Sequence, residues 1–333
     1  MWFEDLTGFY EETSPAGREE IYRNISVERD QMTMWNLGRI RICGRLETPS
    51  IASLRQQLES SNQSKTRSDP QFSEVVADVQ DLHCDPRNAG ALFQVASQFN
   101  LLEMVSPDVC PEDGVSRYAL DRTQGPACAI ACGAGTIYRN YFAPIGPGVG
   151  QTEEHQINCL ADLGARLGNI GDRLWKMRNG YALATEQGLS EITSNLASIT
   201  EYQRDELVGS IRVGLHWGTE VTLRPNPSGQ NHLVTQAYCS ALPVAYSDLP
   251  GELWQPFASV VLDAAYEATI LAAALNNAET GNNTVYLTML GGGAFGNETD
   301  WIVDAMKRAI RLPAARDLNI ILVSYNSPSG IEL

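Results

Sequence analysis

Six residues in the C-terminal third, Gly291-Gly292-Gly293-Ala294-Phe295-Gly296, contain four glycines and one aromatic ring. They follow Thr284–Leu290, where β-branched and aromatic residues alternate before an apolar run, the pattern of a strand. They precede Trp301, Ala305 and Ala309, with Ile302 and Met306, at the i, i+4 spacing of a helix. Asn297 is placed to cap that helix, with Glu298 and Asp300 in its first turn. A strand, a glycine loop and a helix N-terminus bring backbone N–H groups together, and such groups can hold an anion without lysines. The loop fits neither the dinucleotide pattern GxGxxG nor the P-loop pattern GxxxxGK[ST]. A tight strand-to-helix turn is the other reading.

The elements that must position this loop are regular from residue 233 onward. Val234–Tyr246 reads as a strand with small residues at its end, including Ser240. Asp248 sits in the loop that follows, and Trp254–Leu275 reads as a helix. The glycine-loop strand and its helix come next, then a strand over Leu318–Tyr325. Strand, helix, strand, helix, strand implies parallel pairing through right-handed crossovers. Upstream, Phe72–Val79 reads as a strand, with Asp78, Asp81 and Asp85 about its end and the turn beyond. Arg87-Asn88-Ala89-Gly90 leads into Ala91–Met104, whose spacing predicts a helix carrying Phe93, Gln94 and Gln98. Its amides serve either as partners for buried backbone or as groups beside a ligand. Ligands in open α/β sheets sit beyond the C-terminal strand ends. That rule gathers Asp78, Asp81, Ser240, Tyr246, Asp248, Gly291–Phe295 and Asn326 about one cleft.

The remainder reads as elaboration of one domain. Residues 1–65 look helical and polar, with a short strand at Arg39–Gly44 and a helix over Pro49–Leu58 capped by Thr48 or Ser50. Residues 72–142 hold the first strand, loop and helix. Residues 143–232 form a helical insertion, with helices over His155–Ile170 and Leu189–Thr200, and connecting strands that include Ile211–Leu223, broken by Gly218. Residues 59–70 read as a polar loop and 225–230 as a turn. Residues 233–327 carry the terminal βαβαβ unit.

Composition narrows the function classes. The chain has 333 residues, 43% of them hydrophobic, and a net charge of −16. No basic stripe is present to meet a nucleic acid. Seven scattered cysteines point to a reducing compartment, hence the cytoplasm. No paired CxxC or HExxH suggests a metal site. The most apolar stretch, Phe257–Leu275, carries Asp263 and Glu267, which argues against a membrane span.

At this point the residues resemble a macrodomain. Val234–Asp248 is similar to the family strand that ends in a tight turn. Ala265-Tyr266 stands where the next helix has Ala-Tyr. Gly293-Ala294-Phe295-Gly296 occupies the last four places of the second phosphate loop, and Ile320–Tyr325 the closing strand. Val75–Met104 resembles the first ligand strand, loop and helix, with departures. The Asn-Ala-Ala-Asn signature is absent, and the first glycine loop is reduced to Asn88-Ala89-Gly90. The paired glutamates of the poly(ADP-ribose) glycohydrolase branch are missing from Gly90–Val95. The chain resembles a divergent branch that includes bacterial effectors removing arginine-linked ADP-ribose from proteins such as ubiquitin.

The resemblance implies a three-layer α/β/α sandwich with a mixed, mostly parallel sheet and extra N-terminal and central helices. It implies ADP-ribose, or an ADP-ribosylated protein such as ubiquitin, as partner, with no cofactor and no metal. It implies ligand contacts from Asp78, Asn88, Gly90, Phe93, Gln94, Ser240, Tyr246, Gly291, Gly292, Gly293, Ala294, Phe295, Gly296, Asn297 and Asn326. Cleavage at the distal ribose passes through an oxocarbenium-like state, so a carboxylate must stabilise charge or activate water. Asp81, Asp85 and Asp248 are the acids expected to do so. A reader that binds ADP-ribose without cleaving it is the alternative, and a purely structural protein is a third.

Overall fold

The computed structural model describes residues 1–61, 68–224 and 231–331. The polar loop expected over 59–70 falls partly outside these residues, and the turn over 225–230 wholly outside.

The chain opens with helices α1 (Trp2–Thr7) and α2 (Pro15–Asn24). Ser14 caps α2 by accepting from the Gly17 N–H, and Pro15 supplies a first position that needs no donor. An antiparallel meander follows, β1 (Ile25–Glu28), β2 (Gln31–Met34) and β3 (Arg39–Ile42). It corrects the helical reading of the first 65 residues. Met32 and Met34 point inward while Gln31 stays exposed, a period of two that each short strand shows only briefly.

Then come β4 (Arg45–Glu47), α3 (Ile51–Ser60) capped by Ser50, β5 (Gln71–Val76), α4 (Val79–Cys84) and β6 (Leu92–Ala96). The middle of the chain holds α5 (Gln124–Ala131), α6 (Gly133–Ile137), a short hairpin of β7 (Pro144–Ile145) and β8 (Gly148–Val149), and α7 (Ala161–Leu167). A second hairpin, β9 (Trp175–Arg178) and β10 (Tyr181–Ala184), leads to α8 (Glu186–Ser198) and α9 (Glu201–Ser210). The helix expected over 155–170 is thus confined to α7. The last third is β11 (Gly214–Glu220), β12 (Leu233–Cys239), α10 (Gly251–Thr280), β13 (Thr284–Leu287), α11 (Thr299–Ile310) and β14 (Asn319–Ser324).

Seven strands form the central sheet in the order β4-β11-β12-β6-β13-β14-β5. The five from β12 to β5 are parallel, and β11 runs antiparallel to both its neighbours. The mixed, mostly parallel sheet expected from the sequence is therefore present. Its centre is not: Leu92–Ala96 is a strand inserted between β12 and β13, where a helix was expected. A central strand is buried on both faces, so it reads as a continuous apolar run without alternation. Consecutive side chains on β6 still point to opposite faces. Phe93 stacks on His83 of α4 at 3.8 Å, while Gln94 donates to Thr269 of α10 at 3.0 Å. Helices α4, α5 and α6 thus cover one face, and α3, α8, α9 and α11 gather around α10 on the other.

α10 is long and apolar enough to cross a membrane by length and composition, but 89% of that window is buried inside the protein. The two acids within its buried length, Asp263 and Glu267, are paired in place. Asp263 accepts from Arg204 at 2.7 Å, and Glu267 from Arg55 at 2.6 Å and Arg308 at 2.7 Å.

Candidate active site

The C-terminal ends of β6, β12 and β13 open into a cavity of about 730 Å³, within the range of small-molecule sites. Ala96 and Ser97 form its floor, the glycine loop one wall, and the turn at Glu103 with residues 117–126 the other.

The glycine loop is shaped by its own side chains. Gly291 has φ +76, and a Cβ there would come within 2.4 Å of Ala241. The buried Asn297 amide donates to Leu242 O at 2.8 Å and Gly291 O at 3.3 Å, tying the loop to the end of β12. Asn297 is therefore a staple and not the cap of α11, whose cap position is Glu298. Gly293 is different: a Cβ would meet nothing within 4 Å and its φ is not in the left-handed region, so neither packing nor backbone requires glycine there. Gly291, Gly293, Ala294 and Phe295 line the cavity, and among the described residues their N–H groups have no hydrogen-bond partner. Four open donors in five residues form a site for an anion.

Across the cavity stands Glu103, only 5% exposed. It was missed from sequence because it lay within the expected helix 91–104. Structurally it ends a turn held by side chains. Gln98 Oε1 accepts from Met104 N at 2.7 Å, Asn100 Oδ1 from Leu102 N at 3.1 Å, and Tyr118 Oη from Glu103 N at 2.9 Å. The Gln124 amide docks the start of α5 on β6, accepting from Ala96 N and donating to Gln94 O, both at 3.0 Å. Glu103 Oε2 fits against the α-carbon of Gly125, where a Cβ would come within 2.2 Å of it, and Glu103 Oε1 has no partner. Burial pushes this carboxyl well above the usual carboxylate range; Arg139 opposes that shift and Asp121, which also lines the cavity, adds to it. A carboxyl shifted in this direction favours its protonated form, the form a general acid needs. The detectable signal in the sequence was one acid inside the apolar run Leu101-Leu102-Glu103-Met104.

Tyr181, Tyr246 and Phe295 complete the cavity with three rings whose centroids lie 5.2–5.7 Å apart. Tyr181 Oη donates to Met104 O at 2.5 Å, linking this aromatic wall to the Glu103 turn.

Of the residues expected at the site, Tyr246, Gly291, Gly293, Ala294 and Phe295 line the cavity. Ser240, Gly292, Gly296 and Asn297 adjoin it in the chain. The acids are not gathered there. Asp78 caps α4, accepting from Gln80 N at 2.7 Å. Asp81 pairs with Arg224 in solvent. Asp85 pairs with Arg87, whose guanidinium holds it down to about 2. Asp248 and Asn326 are exposed and outside the cavity wall. Asn88 and Gly90 precede β6, at the opposite end of the sheet: Asn88 accepts from Tyr286 Oη at 2.8 Å, and Gly90 O accepts from Asn276 at 2.8 Å. Phe93 and Gln94 are core residues of β6. The strand-end rule fails for Asp78 and Asp81 because β5 lies at the sheet edge, three strands from β6.

No family model and no curated protein matches the sequence. Among solved structures, the chain is similar to poly(ADP-ribose) glycohydrolase from Thermomonospora curvata bound to the inhibitor ADP-HPD. The identity is 12%, coverage is 94% of this chain and 93% of that one, and the TM-score is 0.42. It is also similar to poly(ADP-ribose) glycohydrolase from Deinococcus radiodurans in complex with ADP-ribose. There the identity is 13%, coverage is 85% and 88%, and the TM-score is 0.39.

Proposed function

We propose that the chain is a hydrolase of an ADP-ribosyl N-glycosidic bond, removing ADP-ribose from modified protein side chains, arginine-linked ones above all, with ubiquitin among the candidate proteins. The observation that supports it is one cavity with open backbone donors on one wall and, on the other, a buried carboxyl whose burial favours the protonated form. The glycine loop holds the pyrophosphate. Glu103 delivers a proton to the departing guanidine nitrogen as the bond to the ribose carbon breaks, and the carboxylate left behind takes a proton from the water that adds to that carbon. Asp121, the other acid of the cavity wall, offers a carboxylate to the guanidinium. The roles first given to Asp81, Asp85 and Asp248 pass to these two. Seven unpaired cysteines support a reducing compartment such as the cytoplasm.

The test is release of ADP-ribose from arginine-modified protein in a single turnover, alongside calorimetry with free ADP-ribose. Binding together with release is expected. Binding without release selects the reader, which the absence of Asp81, Asp85 and Asp248 from the cavity favours. Absence of both overturns the reading.

A further inference from the structure

Beneath the Glu103 turn lies a guanidinium that is 0% exposed, that of Arg139. It sits on a π-helical turn, Tyr138–Phe142, a distortion of helical geometry often found at functional sites. Its contacts are all neutral. Nε donates to Leu101 O at 3.1 Å, one terminal nitrogen to His216 Nδ1 at 3.1 Å, and the other to Thr136 Oγ1 at 3.0 Å. Its carbon lies 3.7 Å from the centroid of the Tyr238 ring. Among the described residues no carboxylate pairs with it, an expensive arrangement for a buried cation. The residue it grips is itself unusual: Leu101 has φ +66, a left-handed backbone that a leucine rarely adopts. Two residues later comes Glu103.

We infer that Arg139 is the positioning residue of this site: through Leu101 O its guanidinium clamps the left-handed turn that presents Glu103 to the cavity. The inference rests on Glu103 being the acid of the proposed reaction. The titratable groups facing Glu103 are Tyr118, Asp121, Cys128, Arg139, Tyr181 and Tyr238. Burial pushes the tyrosines and the cysteine upward, so they remain neutral, and burial pushes His216 well below its usual range, so it is neutral too. Arg139 and Asp121 are the two charges left to act on Glu103, with opposite signs.

The experiment follows thermal unfolding against pH for the parent, Glu103→Gln, Arg139→Gln and the double variant, with the pH profile of kcat/KM beside it. A buried acid with a raised pKa costs stability as pH climbs from the ordinary carboxylate range towards the folded value. The Glu103-dependent loss, read as parent minus Glu103→Gln, is expected to extend upward by about one pH unit or more when Arg139 is neutralised. The alkaline limb of the rate profile moves in the same direction. An unmoved loss and an unmoved limb overturn the inference, since a merely structural arginine would lower all rates evenly. Should Arg139→Gln fail to fold, Arg139→Lys, which keeps the charge and loses the planar fork, takes its place: a displaced Glu103-dependent loss and rate limb support the clamp, and parent-like curves overturn it. Because unfolding is read without substrate, a chain that cleaves nothing still tests the Arg139–Glu103 coupling, so the two readings fail separately.

Discussion

Glu103→Gln separates chemistry from binding. The amide keeps the shape of the carboxyl but cannot deliver a proton, so ADP-ribose release should fall by roughly 10²-fold or more. On the proposed reading, affinity for ADP-ribose should stay within a few-fold, since the phosphate contacts assigned to the glycine loop are untouched. The same variant should be the more stable protein at neutral pH. In the unfolded chain Glu103 ionises in the ordinary range, whereas burial pushes its pKa well above that range in the folded protein. The parent therefore loses stability through that interval and the variant does not. Thermal melts at pH 7 and pH 3 check this: the gap should be present at the first and gone at the second. Gly293→Glu addresses the other wall. The position has open space for a side chain, so the fold should survive. The carboxylate should exclude the pyrophosphate by charge and bulk, seen as loss of ADP-ribose binding in calorimetry with an unchanged melting point. Normal binding by folded Gly293→Glu would remove the loop from the site. The loop itself was legible because glycine clusters are rare and sit in a recognisable order of elements. Glu103 was not, because a single acid carries no spacing to read.

Elements were legible where one face meets solvent. α11 and β14 fall close to their expected positions, since polar and apolar positions separate along them; β13 does too, although it is covered on both faces, because the glycine loop marks its end. β6 was read as a helix because both of its faces are covered, which erases the alternation, and because the apolar residues of the following turn lengthened the run. The cost of that double burial is visible at His83 on α4, which is 0% exposed against Phe93 and Tyr286 beyond it. Burial depresses its pKa to about 4 from an unfolded value of 6.5. A histidine depressed in this way leaves stability intact above the unfolded value and removes it as pH falls towards the folded one. The 2.5-unit gap corresponds to roughly 3 kcal/mol lost between pH 6.5 and 4. His83→Phe should flatten that stretch of the stability–pH curve while leaving Gln236 without its 3.1 Å partner at all pH values. An equally steep acid limb in the variant would assign the loss to other groups.

At the scale of the molecule, the described residues form two hydrophobic cores. One surrounds the central sheet and α10. The other joins α1, α2 and the meander to Leu102, Met104, Tyr118 and Tyr141. The N-terminal residues are therefore part of the site's foundation. Glu11, 1% exposed, accepts from Val115 N at 3.0 Å, Ser116 N at 2.5 Å and Tyr141 Oη at 2.7 Å. Glu11→Ala strands three donors beneath the wall that carries Tyr118, so it should cost roughly 3 kcal/mol or more in denaturant melts and weaken ADP-ribose binding as well. An unchanged affinity would uncouple that wall from the N-terminal segment.

The cavity lies along the seam between these cores: Met104 and Tyr118 come from one, Leu290 and Ala241 from the other. A molecule lodged there touches both, as a clasp touches two halves of a case. The two cores already share α5, which gives Cys128 to one and Ala129 to the other, so an occupant is expected to tighten a junction common to both. Slow amide exchange should register the occupant far from its contacts, deep in the meander as well as along β12 and β13, because tightening that junction suppresses openings that involve both cores rather than any local one.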